Sequence, residues 1–167
     1  MLVKILVAMT MLLGLNSYPL ANDCDSTGKV YDLCIDQEVV YETAVNQALK
    51  ENKIIIVSFG AEWCGWCHKL DNVFKAIQVT GEFDSHLNFI KIGTDAQSGK
   101  TVLDYLVEQS GQDVETSYVP MTAVVYPKDN AVAFISTGAF IGKDKTLDEL
   151  AAMSKINLKK IIDFFKK

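Results

Sequence analysis

Apolar and polar residues follow one another along the chain in blocks that predict alternating helices and strands. Over Asp36–Asn52, apolar residues recur at helical spacing with polar residues opposite, which predicts a first helix. The run Ile54–Phe59 is rich in β-branched residues, as is typical of a buried central strand. A helix over 64–78 and a second strand over 88–93 follow. Because strand, helix and strand come in this order, we expect a parallel pair of strands with a right-handed crossover.

The second half of the pattern predicts a helix, a hairpin and a long terminal helix. Thr101–Ser110 has helical spacing. Met121–Tyr126 and Ala131–Thr137 are strand-like, and the Pro-Lys-Asp-Asn turn between them predicts an antiparallel hairpin. Leu147–Lys167 is helical again, although Asn157 could divide it. With 167 residues and a formal net charge of −5, the chain has the length of one globular domain and lacks the basic surface that nucleic acid requires.

The beginning of the chain differs from the rest. Lys4 is the only charged residue before Asp23, and Ile5–Leu15 is a nearly unbroken apolar run. A cationic start, a short apolar run and then small residues are typical of a secretory signal peptide, and the run is shorter than the ~20 residues of a spanning helix. We therefore predict a signal peptide over 1–21 and a periplasmic mature protein without a membrane span. An uncleaved anchor or a buried helix is the alternative.

The four cysteines form two pairs with different surroundings. Cys24 and Cys34 lie in a polar, turn-rich extension over 22–35, where a structural disulfide would close a small loop and tether the N-terminus. Such a loop would contribute roughly 2–3 kcal/mol in the chain-entropy treatment. A second redox centre that relays electrons to the other pair is the alternative.

Cys64 and Cys67 are spaced as Cys-Gly-Trp-Cys at the start of a predicted helix. Unpaired N–H groups and the positive end of the helix dipole stabilise a thiolate there, so the pair can cycle between dithiol and disulfide. Zinc would need two more ligands, and His68 is badly placed beside Cys67, so a zinc site would have to recruit Cys24 and Cys34. We predict neither a metal nor a cofactor.

These motifs resemble those of the thioredoxins, especially the small exported thioredoxin-like proteins. The resemblance implies a thioredoxin fold over 36–167, an α/β fold with a central mixed sheet flanked by helices. It also implies protein dithiols and disulfides as substrates, with a membrane protein as one candidate electron donor. The matching stretches occur in the family's order over about residues 36–150, and they are Lys53–Phe59, Ala61–Leu70, Phe89–Asp95, Val119–Thr122 and Gly138–Phe140.

The resemblance implies roles for individual residues. Cys64 would be the exposed nucleophile that attacks a substrate disulfide, and Cys67 the buried resolving thiol. Pro120 would be a cis-proline that turns the Val119 backbone toward the substrate; a trans proline that starts an edge strand is the alternative. Trp63 would pack beside the cysteines or in the core. The predicted substrate-binding residues are Trp63, Trp66, Val119 and Pro120.

The sequence also departs from the family pattern. Ser58 stands where thioredoxins have a buried Asp that assists proton transfer to the resolving thiol. Lys91 matches the Lys that usually pairs with that Asp, so it either points to solvent or is compensated by Glu62 or a water. Gly65-Trp66 replaces the common Gly-Pro dipeptide, a main control on redox potential. His68 could raise the positive potential near the thiolate, but we favour an exposed helix residue.

Together, the signal peptide, the cysteine pair and Pro120 predict thiol–disulfide exchange with protein thiols in the periplasm. No His lies between the cysteines, and the resemblance is not to the oxidases with a helical insert, so we favour a reductase or isomerase-like direction. One alternative is a thioredoxin-fold copper chaperone that binds Cu(I) through Cys64, Cys67 and His68. The other is a redox-silent module that binds protein beside Pro120.

Overall fold

The computed structural model describes residues 24–166, so the predicted signal peptide lies outside the described residues. Its strands are β1 (Ile54–Gly60), β2 (Leu87–Gly93), β3 (Met121–Tyr126) and β4 (Ala131–Ile135). They form one sheet in the order β2-β1-β3-β4, in which β1 pairs with β2 in parallel and with β3 antiparallel, and β3 pairs with β4 antiparallel. The predicted parallel unit and hairpin are both confirmed. β4 ends before Thr137, because Thr137–Ala139 forms a turn of 3-10 helix.

Helices cover both faces of the sheet. Helices α1 (Gln37–Glu51) and α3 (Gln97–Ser110) pack on one face, and α2 (Gly65–Gln78) and α4 (Leu147–Phe165) pack on the other. Within residues 24–166, none of the helices combines the length and the apolar composition needed to cross a membrane.

Two details of the helices differ from the sequence prediction. Helix α3 begins at Gln97 rather than near Thr101; its N-cap Ala96 makes no side-chain capping bond, so the sequence carries no start signal there. Helix α4 is not divided at Asn157, whose side-chain amide instead donates to the Ala139 carbonyl at 2.8 Å. Asn157 in the middle of α4 therefore makes a tertiary contact and does not interrupt the helix.

Strand β1 is buried along its whole length and divides its side chains between the two faces. Ile54 and Ile56 pack against α2 and α4, while the residues that alternate with them pack against α1 and α3. Because side chains alternate along a strand, Ser58 and the Cα of Gly60 come to the α2 face. That is the face at which helix α2 begins.

Residues 24–36, the N-terminal segment, pack over the carboxyl ends of β1 and β2. The predicted disulfide closes the loop, with the Cα atoms of Cys24 and Cys34 5.5 Å apart. The buried Gln37 side chain donates to the carbonyls of Asp32 (2.8 Å) and Ile35 (2.6 Å). The same side chain accepts the backbone N–H of Gly93 at 2.8 Å. The segment is therefore fixed to the end of β2.

Two glycines make room for this segment. Gly60 and Gly93 are register partners at the ends of β1 and β2. A Cβ on Gly60 would overlap the Tyr31 hydroxyl, and a Cβ on Gly93 would overlap the Leu33 side chain. Because only glycine lacks that atom, the segment can lie directly on the strand ends.

Candidate active site

Cys64 and Cys67 form a disulfide at the N-terminus of α2, with their Cα atoms 5.2 Å apart. Cys64 is the N-cap residue, and its Sγ accepts the backbone N–H of Cys67 at 3.1 Å. Cys64 is 5% exposed and Cys67 is 0% exposed. Cys64 is therefore less exposed than predicted, because the Val119 carbonyl oxygen lies 3.7 Å from its sulfur. It is nevertheless the one sulfur-bearing residue of this pair that reaches the surface.

Val119 and Pro120 face the disulfide from the loop before β3. The peptide bond between them is cis, as the resemblance implies. The Thr137 hydroxyl donates to the Pro120 carbonyl at 2.8 Å, which ties this loop to the turn after β4. Both residues are half-buried, and the Val119 backbone forms the wall of the site opposite Cys64.

Exposed aromatic side chains flank the disulfide. Trp63 is 75% exposed, Trp66 is 41% exposed and Tyr118 is 72% exposed. The Trp63 indole N–H donates to Asp95 Oδ1 at 3.2 Å, so Trp63 is not a core aromatic. The Lys69 ammonium lies 5.2 Å from the centre of the Trp66 ring. Tyr118 was not predicted; an aromatic in a polar loop directly before Val119 is the signal that could have found it.

Tyr31, from the N-terminal segment, is a further residue of the site that the sequence analysis missed. Its side chain is 1% exposed and belongs to one buried cluster with Ala61 and the two cysteines of the redox pair. The hydroxyl lies 3.3 Å from Ser58 Oγ. Nothing in the sequence signals this contact, because the polar, turn-rich composition around Tyr31 indicates only a segment that tethers the N-terminus.

Comparison with known proteins agrees with this geometry. The family model Thioredox_DsbH, described as "Protein of unknown function, DUF255", matches residues 31–167. The chain belongs to the Thioredox_DsbH family. The crystal structure of a disulphide isomerase from Xylella fastidiosa Temecula1 is similar, with a TM-score of 0.53 and 23% identity over 84% of this chain and 97% of that chain. That likeness shows the thioredoxin fold. No curated protein sequence matches the chain.

The surroundings of Tyr31 in this thioredoxin-like site keep its phenol protonated. Burial raises the pKa of Tyr31 to about 12, and the negative charges of Asp71 and Glu62 act in the same direction. The hydrogen bond with Ser58 acts in the opposite direction and does not offset them. At neutral pH, Tyr31 is therefore a neutral hydroxyl that can donate a hydrogen bond.

Lys91 has an acidic partner, so the predictions that it points to solvent or is compensated by Glu62 are wrong, and only a compensating water stays a prediction. Its Nζ lies 3.1 Å from Oδ1 of Asp71, a residue only 5% exposed. Lys75 Nζ lies 2.6 Å from Oδ2 of the same carboxylate, at ion-pair distance but without the alignment of a hydrogen bond. Asp71 follows Cys67 by four residues and so lies on the same face of α2. A single Asp on the apolar face of that helix was the available signal.

Glu62 instead holds the N-terminal segment. Its Oε2 accepts the backbone N–H groups of Val30 at 3.0 Å and Tyr31 at 3.2 Å. The half-exposed His68 ring donates from Nε2 to the Glu62 carbonyl at 2.7 Å and lies 3.7 Å from Oε1. His68 therefore braces the turn that carries Glu62, a contact that the sequence did not indicate, while an effect of its ring on the Cys64 thiolate stays a prediction.

Proposed function

We propose that the protein exchanges disulfides with protein thiols through Cys64 and Cys67. The observation that carries this proposal is the pair of cysteines bonded at a helix N-terminus and facing a cis-proline. Membership of a thioredoxin-like family and the similar structure, which is that of a disulphide isomerase, support it.

The reaction consists of two exchange steps. In the dithiol form, the Cys64 thiolate attacks a substrate disulfide, forms a mixed disulfide and releases one substrate sulfur as a thiolate. The Cys67 thiol then loses its proton, and its thiolate attacks Cys64 Sγ and releases the second substrate thiolate. The substrate gains two electrons, and the cysteine pair is oxidised to the disulfide that the structure contains.

Exposure and local electrostatics separate the two roles. The Cys64 sulfur lies at the positive end of the α2 dipole and accepts a backbone N–H at 3.1 Å, and both favour a thiolate. Cys67 is fully buried, so a substrate can reach it only through the mixed disulfide on Cys64.

The surface around the pair suits a partly unfolded polypeptide. Trp63 and Trp66 are sequence neighbours of the cysteines, Tyr118 precedes Val119, and all three expose aromatic rings; exposed apolar surface of this kind marks interaction sites. The half-buried Val119 backbone beside Cys64 could pair with an extended substrate strand. The proposed substrates are therefore proteins and not only small disulfides.

We also propose a reductase or isomerase-like direction in the periplasm, with a membrane protein as a candidate electron donor. The residues between the cysteines include no His, and the Cys24–Cys34 disulfide suits an oxidising compartment. The copper alternative would rest on Cys64 and Cys67, because His68 Nε2 already bonds to the Glu62 carbonyl. A reduction potential near the ~−120 mV of a strong periplasmic oxidant would contradict the direction.

Insulin reduction with dithiothreitol as the electron source tests the exchange reaction. Cys64→Ser should abolish catalysis, whereas the Cys24→Ser/Cys34→Ser double variant should retain it because the redox pair is intact. Catalysis by Cys64→Ser at the wild-type rate would contradict the proposed function.

A further inference from the structure

We propose that Tyr31 is a positioning residue for the resolving step, in which its hydroxyl donates a hydrogen bond to the Cys67 thiolate. This inference rests on the proposed function and deepens it, because it assigns a task in the redox centre to the N-terminal segment. The segment would then be part of the active site as well as a tether.

The first argument is proximity. A methyl group placed on Gly60 would overlap the Tyr31 hydroxyl and would lie 2.9 Å from Cys67 Sγ. The hydroxyl and the sulfur are thus neighbours across the gap that the missing side chain of Gly60 leaves. Tyr31 belongs to the same buried cluster as Cys64 and Cys67, and its side chain is only 1% exposed, so the hydroxyl has little freedom to turn away.

The second argument is the hydrogen-bonding capacity of the buried hydroxyl groups. In the disulfide form, the Tyr31 hydroxyl lies 3.3 Å from Ser58 Oγ. A hydroxyl can accept one hydrogen bond while it donates another, so Ser58 can donate to Tyr31 while Tyr31 donates to the sulfur. Thr122 is the register partner of Ser58, and its buried Oγ1 has no hydrogen-bond partner among the described residues. The hydroxyl groups of Tyr31, Ser58 and Thr122 can therefore form hydrogen bonds near the redox pair, although Ser58 replaces the carboxylate that thioredoxins have at this position.

The third argument is charge. The carboxylates nearest this cluster are Asp71 on α2 and Glu62 in the turn before it, and both are close enough to raise the pKa of Tyr31. Lys91 and Lys75 pair with Asp71, and His68 braces Glu62. Lys91 and Lys75 are therefore paired with a carboxylate, and a buried neutral donor beside Cys67 is suited to stabilise a thiolate there. Tyr31 is that donor, because its burial keeps it protonated.

The proton and electron balance of the step is simple. The Cys67 thiol gives its proton to solvent, and the resulting thiolate accepts the hydrogen bond from Tyr31. The thiolate attacks Cys64 Sγ, the bond from Cys64 to the substrate sulfur breaks, and the substrate thiolate takes up a proton from solvent. Tyr31 keeps its own proton throughout, and its hydroxyl remains 3.3 Å from Ser58 Oγ when the disulfide has formed, as in the structure.

The test follows both exchange steps with a chromogenic aryl disulfide. Attack by Cys64 on 5,5′-dithiobis(2-nitrobenzoic acid) releases one coloured thiolate, and attack by Cys67 on the mixed disulfide releases the second. Stopped-flow traces over a range of pH therefore give a separate rate profile for each cysteine. The variant is Tyr31→Phe, which keeps the ring. The matched control is Tyr126→Phe, which removes a hydroxyl that donates to Asn52 at the other end of β3.

Tyr31→Phe should slow the second release about tenfold at pH 7 and move its profile up by about one pH unit, as expected when a charge-assisted hydrogen bond is lost. The first release and both profiles of Tyr126→Phe should stay at wild-type values. An unchanged second release, or an equal slowing of both steps, would overturn the proposal.

A second variant covers the case in which Tyr31→Phe does not fold. Ser58→Ala removes the partner of the Tyr31 hydroxyl and should move the second profile in the same direction by a smaller amount. If Ser58→Ala moves neither profile, the proposal is overturned. If the proposed function itself were wrong, disulfide exchange would persist in Cys64→Ser. That result is distinct from the outcomes that overturn the role of Tyr31.

Discussion

Replacing Cys24 and Cys34 together by serine removes the covalent loop of the N-terminal segment and leaves its other anchors in place. The two cysteines are 10 residues apart, and closing a loop of that length lowers the entropy of the unfolded chain by an amount equivalent to about 3 kcal/mol. For a chain of this size, such a loss corresponds to a fall of roughly 6–12 °C in Tm. Glu62 and Gln37 still hold the segment in the variant, so the variant should fold.

Urea unfolding of the oxidised proteins, followed by circular dichroism, measures the loss. The double variant should unfold at lower urea concentration with a nearly unchanged m-value. Excess dithiothreitol provides an internal control, because wild type and variant should converge once the crosslink of the wild type is reduced.

Stabilisation by the closed loop is refuted if the free energies of unfolding of the two oxidised proteins differ by less than about 0.5 kcal/mol, the range of an ordinary surface substitution. It is also refuted if the difference persists in dithiothreitol, because the effect would then come from the side chains and not from the closed loop.

Three further predictions concern buried and exposed groups of the site and of α1. Burial raises the pKa of Tyr31, and that of Tyr41 on α1, to about 12. Between pH 10 and 12 the unfolded chain therefore loses phenolic protons that the folded chain keeps, so stability that is complete below pH 10 falls as the pH rises. The loss should reach about 3 kcal/mol for Tyr31 and should be smaller for Tyr41, whose partly exposed ring is screened by solvent. In urea unfolding at pH 9 and 11, Tyr31→Phe should lose about half or more of this pH dependence. A pH dependence identical to that of wild type would contradict the raised pKa of Tyr31. Glu62→Ala leaves two backbone N–H groups without their acceptor and should destabilise the protein by about 1–3 kcal/mol in the same assay; a value near zero would refute the anchor. Tyr118→Ala should lower kcat/KM for insulin about fivefold, in line with ~1 kcal/mol of contact, but not the rate with a small aryl disulfide; equal losses would contradict a role in substrate binding.

Most of the fold could be predicted because its signals are local. The apolar run Ile54–Phe59 has the β-branched composition of a buried strand, and the turn after Tyr126 predicts that the strands it joins are neighbours. The start of α3 could not be placed, because Ala96 offers no cap. Where a local signal is missing, the boundary depends on tertiary packing.

The cysteine pair and Pro120 could be found in the sequence because each belongs to a recognisable motif. The contacts beneath the disulfide could not, because they join residues far apart in the chain. Tyr31 meets Ser58 across 27 residues, and Lys91 meets Asp71 across 20 residues. Each pairing depends on how α2 or the N-terminal segment packs against the sheet; Asp71 on the apolar face of α2 signals a buried charge but does not identify its partner.

The central claim is that Cys64 attacks substrate and Cys67 resolves the mixed disulfide. The most direct test incubates the Cys67→Ser variant with scrambled, disulfide-bonded ribonuclease A, quenches with acid and maps the covalent adducts by mass spectrometry. The account predicts that substrate accumulates on Cys64 in Cys67→Ser and that no adduct forms in Cys64→Ser. Adducts on Cys67 in the Cys64→Ser variant, or no adduct in either variant, would contradict it.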